Sequence, residues 1–276
     1  MVSAITAEDS VRDADVAAAL KQLQDQVRAS PSDPKLRVFL FQLLAVTGQW
    51  ERALNQLDVA ATLDVSALAM AQMYREALRC ESLRADVFAG KRSPMVFGEP
   101  EQWLALLIES VLLSGRGQGV QAQKLRDTAF ETAPASSGTI DGVAFDWIAD
   151  ADPRLGPVLE AIVNGRYYWI PFSRLSRVDI EEPADLRDFV WMPSHFQFSN
   201  GGEAVGLIPT RYPGSEVSAD GAICLARKTV WEEASPGIFH GLGQRLLTIP
   251  DGEYPIMDIR TMVLAESATS ADSVSG

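Results

Sequence analysis

The period of the apolar residues changes once along this chain, and that change limits the folds open to it. Up to about residue 135 the large apolar residues recur every three or four positions, as on one face of a helix. From Tyr167 onward, β-branched and aromatic residues come in short runs broken by Pro and Gly, as in strands. A helical half followed by a strand-rich half predicts an α+β protein with α-helical hairpins first and a compact β-rich domain second.

In the first half, Val16, Leu20, Leu23 and Val27 line one predicted helix, which ends before the Pro31 and Pro34 breaks. Leu36, Leu40, Leu43 and Leu44 begin a second, stopped by Gly48. Ala53, Leu54, Leu57, Ala60 and Ala61 follow Trp50 in a third, and Met73, Ala77, Cys80, Leu83 and Val87 mark a fourth. Pro34 to Asp64 resembles a tetratricopeptide repeat in its placing of Leu40, Leu44, Gly48, Trp50, Ala53, Leu57 and Ala60, departing from it at Phe41 and Val65. A weaker copy from Glu101 to Pro134, with Trp103 in the position of Trp50, fits if Gly115 to Gly119 is an insertion. One and a half repeats are too few to stand alone, so this half is expected to lean on the other.

The expected segments are a loose N-terminus (1–12), a tetratricopeptide-like helical domain (13–135), a β-rich α+β domain (140–266) and a disordered tail (267–276). The Pro-, Ser- and Gly-rich stretch 134–142 reads as a linker. Asp152, Pro153, the apolar stripe Leu155, Val158, Leu159, Ile162 and Val163, and the stop Asn164-Gly165 predict a helix over about 152–163. Strands are expected at 167–172, 174–180, 189–192, 204–208, 222–230, 244–249 and 254–264, with a hairpin turn at Asp251-Gly252.

Charge narrows the function. The net charge is −13, which disfavours nucleic acid and anionic membranes, both of which select for excess Lys and Arg. Most of the charge lies late: residues 141–276 hold 20 acidic against 10 basic residues. No apolar run is long enough to span a bilayer, and the acidic start is unlike a signal peptide, so a cytoplasmic protein is expected. Cys80 and Cys224, 144 positions apart, read as core residues rather than a metal or disulfide pair.

Chemistry is sparsely signalled. His195 and His240 are the two histidines, and neither sits in a motif. Asp146, Asp150 and Asp152, and the cluster from Asp179 to Asp188, read as a helix cap, a polar turn and solvated faces. Pro213-Gly214 fits the centre of a type II turn displaying Arg211, Tyr212 and Glu216, with Arg211 and Glu216 pairing locally or meeting a partner. No dinucleotide or phosphate-loop fingerprint occurs, because Gly115, Gly117 and Gly119 do not follow a strand. No cofactor or metal is expected. Tyr167, Trp191, Arg211 and Glu216 also bound the alternative reading, a small-molecule or hydrolytic site in the acidic half.

Four blocks then resemble one family: Asp150-Ala151-Asp152 with Arg154-Leu155-Gly156-Pro157 and Leu159-Glu160; Asn164 to Phe172; Leu186-Arg187-Asp188 with Val190-Trp191 and Pro193; and Arg211 to Glu216. Their order resembles the ImpE/TagJ (SciE-type) accessory proteins of the bacterial type VI secretion system. The resemblance implies a non-enzymatic cytoplasmic adaptor that binds the small subunit of the contractile sheath, through a helix of that subunit, and is linked to sheath disassembly by the ClpV ATPase. A homodimer is compatible with such a chain. Trp50, Trp103, Tyr167, Trp191, Arg211, Tyr212 and Glu216 are the expected partner-binding residues, since aromatics and arginine are favoured anchors.

Overall fold

Short polar side chains start the helices where the sequence places them. The Asp15 carboxylate accepts from the Ala18 amide at 2.9 Å, and Asp33 accepts from Lys35 at 2.9 Å just ahead of Pro34 at the first helical position. In the computed structural model, which describes residues 6–265, these caps open α2 (Val16–Ala29) and α3 (Pro34–Val46). They follow α1 (Ala7–Arg12) and precede α4 (Trp50–Leu63), α5 (Leu68–Phe88), α6 (Gln102–Gly115), α7 (Gly119–Thr132) and the one-turn α8 (Gly221–Cys224). The helices pack as hairpins, α3 on α4 and α6 on α7, with α5 between the two pairs.

The strands are β1 (Met95–Val96), β2 (Gly138–Ile140), β3 (Val143–Phe145), β4 (Ala149–Asp150), β5 (Val158–Val163), β6 (Arg166–Pro171), β7 (Leu175–Ile180), β8 (Trp191–Phe198), β9 (Glu203–Pro209), β10 (Thr229–Ser235), β11 (Ile238–Gly243), β12 (Leu246–Ile249), β13 (Gly252–Pro255) and β14 (Thr261–Leu264). Nine form one sheet in the order β1-β6-β5-β9-β8-β7-β14-β2-β3, antiparallel except where β1 pairs with β6. A hairpin of β10 and β11 and a three-stranded sheet β13-β12-β4 flank it.

The α+β class is as expected, and the sheet explains how its halves join. Val158, Ile162, Tyr167, Trp169, Trp191 and Leu207 point from the sheet into the cluster built by α1 to α7. Their sequence neighbours Leu159, Ala161, Val163, Ile170, Met192 and Ile208 point to the other face, against Leu247, Ile249, Ile256 and Met262. The expected boundary at 134–142 falls between α7 and β2, but β1 joins the sheet from before it and the helix-side cluster draws on residues from both sides of it.

Several expectations are corrected. The predicted helix over 152–163 is a turn followed by β5. That strand is buried on both faces, so its apolar run carries no alternation and reads equally as helix. Asn164 and Gly165 do take positive φ (49° and 70°), but they turn β5 into β6 rather than ending a helix. The predicted linker holds β2 and the positive-φ pair Asp141-Gly142, the turn of a hairpin whose first strand also pairs with β14. The strand expected at 222–230 is split, because Asp220 accepts from Ala222 and caps α8. The β8 strand runs on through Pro193 to Phe198, and the β10–β11 hairpin was not foreseen. Part of the loose N-terminus is α1, with a reciprocal Thr6–Asp9 capping box. Residues 1–5 and the expected tail 267–276 lie outside the described residues.

Candidate functional site

The segment Arg211 to Glu216 ties the two layers together. Gly214 has φ 92° and ψ −10°, and the Ser215 amide donates back to the Tyr212 carbonyl at 3.3 Å, the geometry of a type II turn. Arg211 corrects the expectation of a displayed side chain paired with Glu216. It is buried, and its guanidinium donates to the Val46 carbonyl at 2.7 Å, to Ala45 at 3.4 Å and to Cys224 at 2.5 Å. Ala45 and Val46 close α3, so this arginine caps the C-terminal end of the helix, where the Ala45 carbonyl also accepts from the Gly48 amide at 3.1 Å. Ser215 is also fully buried, donating to the Tyr212 carbonyl at 2.5 Å and accepting from the Gly243 amide at 2.8 Å.

Beneath this turn lies a buried ionic network, which corrects the expectation of Asp150 on a solvated face. Glu160, on the helix-facing side of β5, receives Arg84 of α5 through Nε at 2.7 Å and Nη2 at 2.9 Å, and Tyr167 through its hydroxyl at 2.5 Å. Arg245 reaches the same carboxylate at 3.3 Å and binds Asp150 at 2.9 and 2.7 Å. Tyr212 donates to the other Asp150 oxygen at 3.0 Å. Arg84 also donates to the Arg211 carbonyl at 2.7 Å, and Trp191 donates through Nε1 to Glu81 at 2.8 Å. Asp152 forks onto Arg154 and accepts from the Gly241 amide at 2.8 Å, holding the loop before β5 against β11.

Burial acts on these carboxyls in one direction and the arginines in the other. It would raise Glu160 and Asp152, but Arg84 with Arg245, and Arg154 in turn, hold both below the usual carboxylate range. Burial prevails at Asp150, pushed up to about 6 despite Arg245, and at Glu81, raised despite Arg84. Adjacent carboxyls driven apart in this way can serve acid–base chemistry. Here their oxygens are occupied by Arg, Tyr, Trp and backbone donors, the arrangement of an interlayer lock.

Above the network, a cleft of about 220 Å³ lies between α5 and the Pro213-Gly214 turn, lined by Trp50, Glu81, Arg84, Phe88 and Glu216 among others. Trp50 leans on Trp191 with ring centroids 6.1 Å apart. Trp50 and Glu216 are half-buried here, and they are the two expected partner-binding residues with solvent access. Trp103, Tyr167, Trp191, Arg211 and Tyr212 are buried, so their part is to build the seam. Trp103 stands apart from the cleft, donating to Glu101, which in turn binds Arg174. Cys80 and Cys224 are both buried, as expected.

A larger groove was missed from sequence. It measures about 540 Å³ and runs between Gln72, Met73 and Glu76 of α5 and Arg166, Val205 and Leu207 of the sheet. Val205 is 66% exposed and Met73 47%, and the nearby α4–α5 connection exposes Leu63, Val65 and Leu68. Alternation along β9 puts Val205 on the same helix-facing side as Leu207, but nothing local shows that α5 lies beside it and leaves it uncovered.

Residues 142–263 match the family described as ImpE protein. The chain is 48% identical over 259 residues to the type VI secretion system accessory component TagJ of Pseudomonas aeruginosa, covering 94% of this chain and 91% of that one. The crystal structure of protein VPA1032 from Vibrio parahaemolyticus is similar throughout, with TM-score 0.86 and 25% identity over 95% of this chain and 98% of that one. With the four sequence blocks gathered at one seam and a relative alike over nearly its full length, this chain belongs to the ImpE family.

Proposed function

We propose that this chain is a cytoplasmic accessory component of a bacterial type VI secretion system that works by binding rather than catalysis. Its partner is the small subunit of the contractile sheath, held through an amphipathic helix, and the contact bears on sheath assembly or on disassembly by ClpV. The family and the 48% identical relative support the secretion role. The groove between α5 and β9 supports the mode: exposed Met73 and Val205 offer an apolar strip, and Glu76 and Arg166 supply charges of both signs beside it. The seam sets the two sides of that groove at fixed spacing, a role for the buried Tyr167, Trp191, Arg211 and Tyr212.

Calorimetric titration of the full chain with the purified small subunit tests this. Micromolar or tighter binding is expected, weakened at least about tenfold, or about 1.4 kcal/mol, by Met73→Glu and Val205→Glu together. Absence of binding by the native chain would remove the sheath subunit as partner. Unchanged binding by the double variant would move the contact elsewhere, the Trp50–Glu216 cleft being next. Sedimentation of the free chain separates a homodimer sharing this strip from a monomer.

A further inference from the structure

A separate cavity, of about 310 Å³, lies between the Gly-rich loop joining α6 to α7 and the β10–β11 hairpin. Phe88, Val111 and Ile238 give it an apolar side; Arg154, Ser235 and His240 give it a polar one. Gly119, the first residue of α7, also lines it, and the preceding Gln118 provides no side-chain cap. The opening amides of a helix of 14 residues therefore lack a capping side chain beside the cavity.

Arg126 adds an independent sign of a ligand. It is 1% exposed, yet its Nε and Nη2 find no hydrogen-bond acceptor among the described residues. Only Nη1 is engaged, donating to Gln123 at 3.0 Å. Arg126 lies on the face of α7 that also carries Ala122 and Gly119. Helical side chains lean toward the N-terminus, and the bond to Gln123, one turn back, shows that this one does; the guanidinium does not itself line the cavity, but its charge acts on His240, which does.

The ring of His240 borders the cavity, and its Nε2 is likewise buried and unpartnered among the described residues. Burial, then the charges of Arg154 and Arg126, hold His240 down at about 4, so it stands neutral at pH 7 in a field of positive sign. The carboxylate of Asp152 is forked onto Arg154, and Asp127 is exposed and bound by Gln123. Among the described residues Arg126 is thus a buried cation without a carboxylate of its own, and leaving such a group unpaired is costly.

We propose that this cavity binds a small organic oxyanion, a phosphate ester or carboxylate. Its charged group meets His240 and the α7 amides, with the charge of Arg126 behind them, and its apolar part lies on Phe88, Val111 and Ile238. The volume suits a metabolite-sized molecule. The site is separate from the groove assigned to the sheath helix.

The chain has two histidines, so histidine-selective NMR of the full-length protein reads the site directly, with His195 on β8 as internal control. Inorganic phosphate, phenyl phosphate and benzoate are titrated at constant ionic strength against sodium chloride. The expected result is saturable movement of the His240 signals with at least one oxyanion, with half-saturation below about 1 mM for the better ring-bearing probe, and a stationary His195. Phenyl phosphate against benzoate tells phosphate from carboxylate preference. Arg126→Gln is expected to weaken binding at least about tenfold. Should that variant not fold, Arg126→Lys, which keeps the charge and loses the fork, is read in the same way. The proposal is overturned if His240 does not move saturably with any of the three anions up to about 20 mM, far above the expected half-saturation. Equal movement with chloride, or undiminished binding in a folded Arg126 variant, also overturns it.

Discussion

Glu160 shows how one side chain can hold two layers. Fully buried on β5, it is acceptable there because Arg84, Arg245 and Tyr167 share its oxygens. Removing a single partner leaves a charge in a low-dielectric interior, which costs about 3–5 kcal/mol, whereas replacing a pair with apolar groups of similar shape is far less damaging. Arg84→Met should therefore lower unfolding stability by about that amount, and adding Glu160→Leu should recover part of the loss. Urea unfolding midpoints at pH 7 check this, and equal or additive losses would show that the network is not coupled. From sequence, Asp150, Asp152 and Glu160 were legible as a motif but not as buried ions. Their arginine partners lie at positions 84, 154 and 245, so only Arg154 is local.

At the scale of elements, two helix ends meet through glycines. A Cβ on Gly115 would sit 2.3 Å from the Gly90 amide nitrogen and 2.7 Å from the Phe88 carbonyl oxygen, all backbone and unable to swing aside. The ends of α5 and α6 thus cross at a distance that only glycine permits. Gly115→Ala should destabilise by about 3 kcal/mol, visible as a lowered thermal midpoint, while Gly117→Ala, with open space around its Cβ position but φ of 78°, should lose only about 1 kcal/mol. The sequence marks this loop as a glycine-rich turn but not as a crossing of two helix ends. It marks the Pro213-Gly214 turn, since both residues act through their own backbone preferences, but not the burial of Arg211, whose partners on α3 lie far away in sequence.

At the scale of the molecule, the helices and the sheet share one cluster, with Trp169, Tyr167 and Trp191 on the sheet side and Leu44, Tyr74 and Trp103 on the helical side. The intact chain should unfold in one cooperative transition, with fluorescence and far-ultraviolet circular dichroism superimposed. Two separated transitions would show that the halves are independent domains. Among the described residues no helix is long and apolar enough to cross a membrane. What the sequence determined by itself was local: the helices of the first half, the strand grammar of the second, the turns at Gly214 and Gly252, and the four blocks that mark the family. Each rests on propensity, period or a backbone preference carried by a few neighbouring residues. Only the tertiary structure decided that 158–163 is a strand, because a segment buried on both faces loses its alternation. The tertiary structure likewise decided that Arg211 is a cap, that Arg126 lies buried with no carboxylate partner among the described residues, and that α5 and β9 enclose a groove, since each depends on residues brought together from distant parts of the chain.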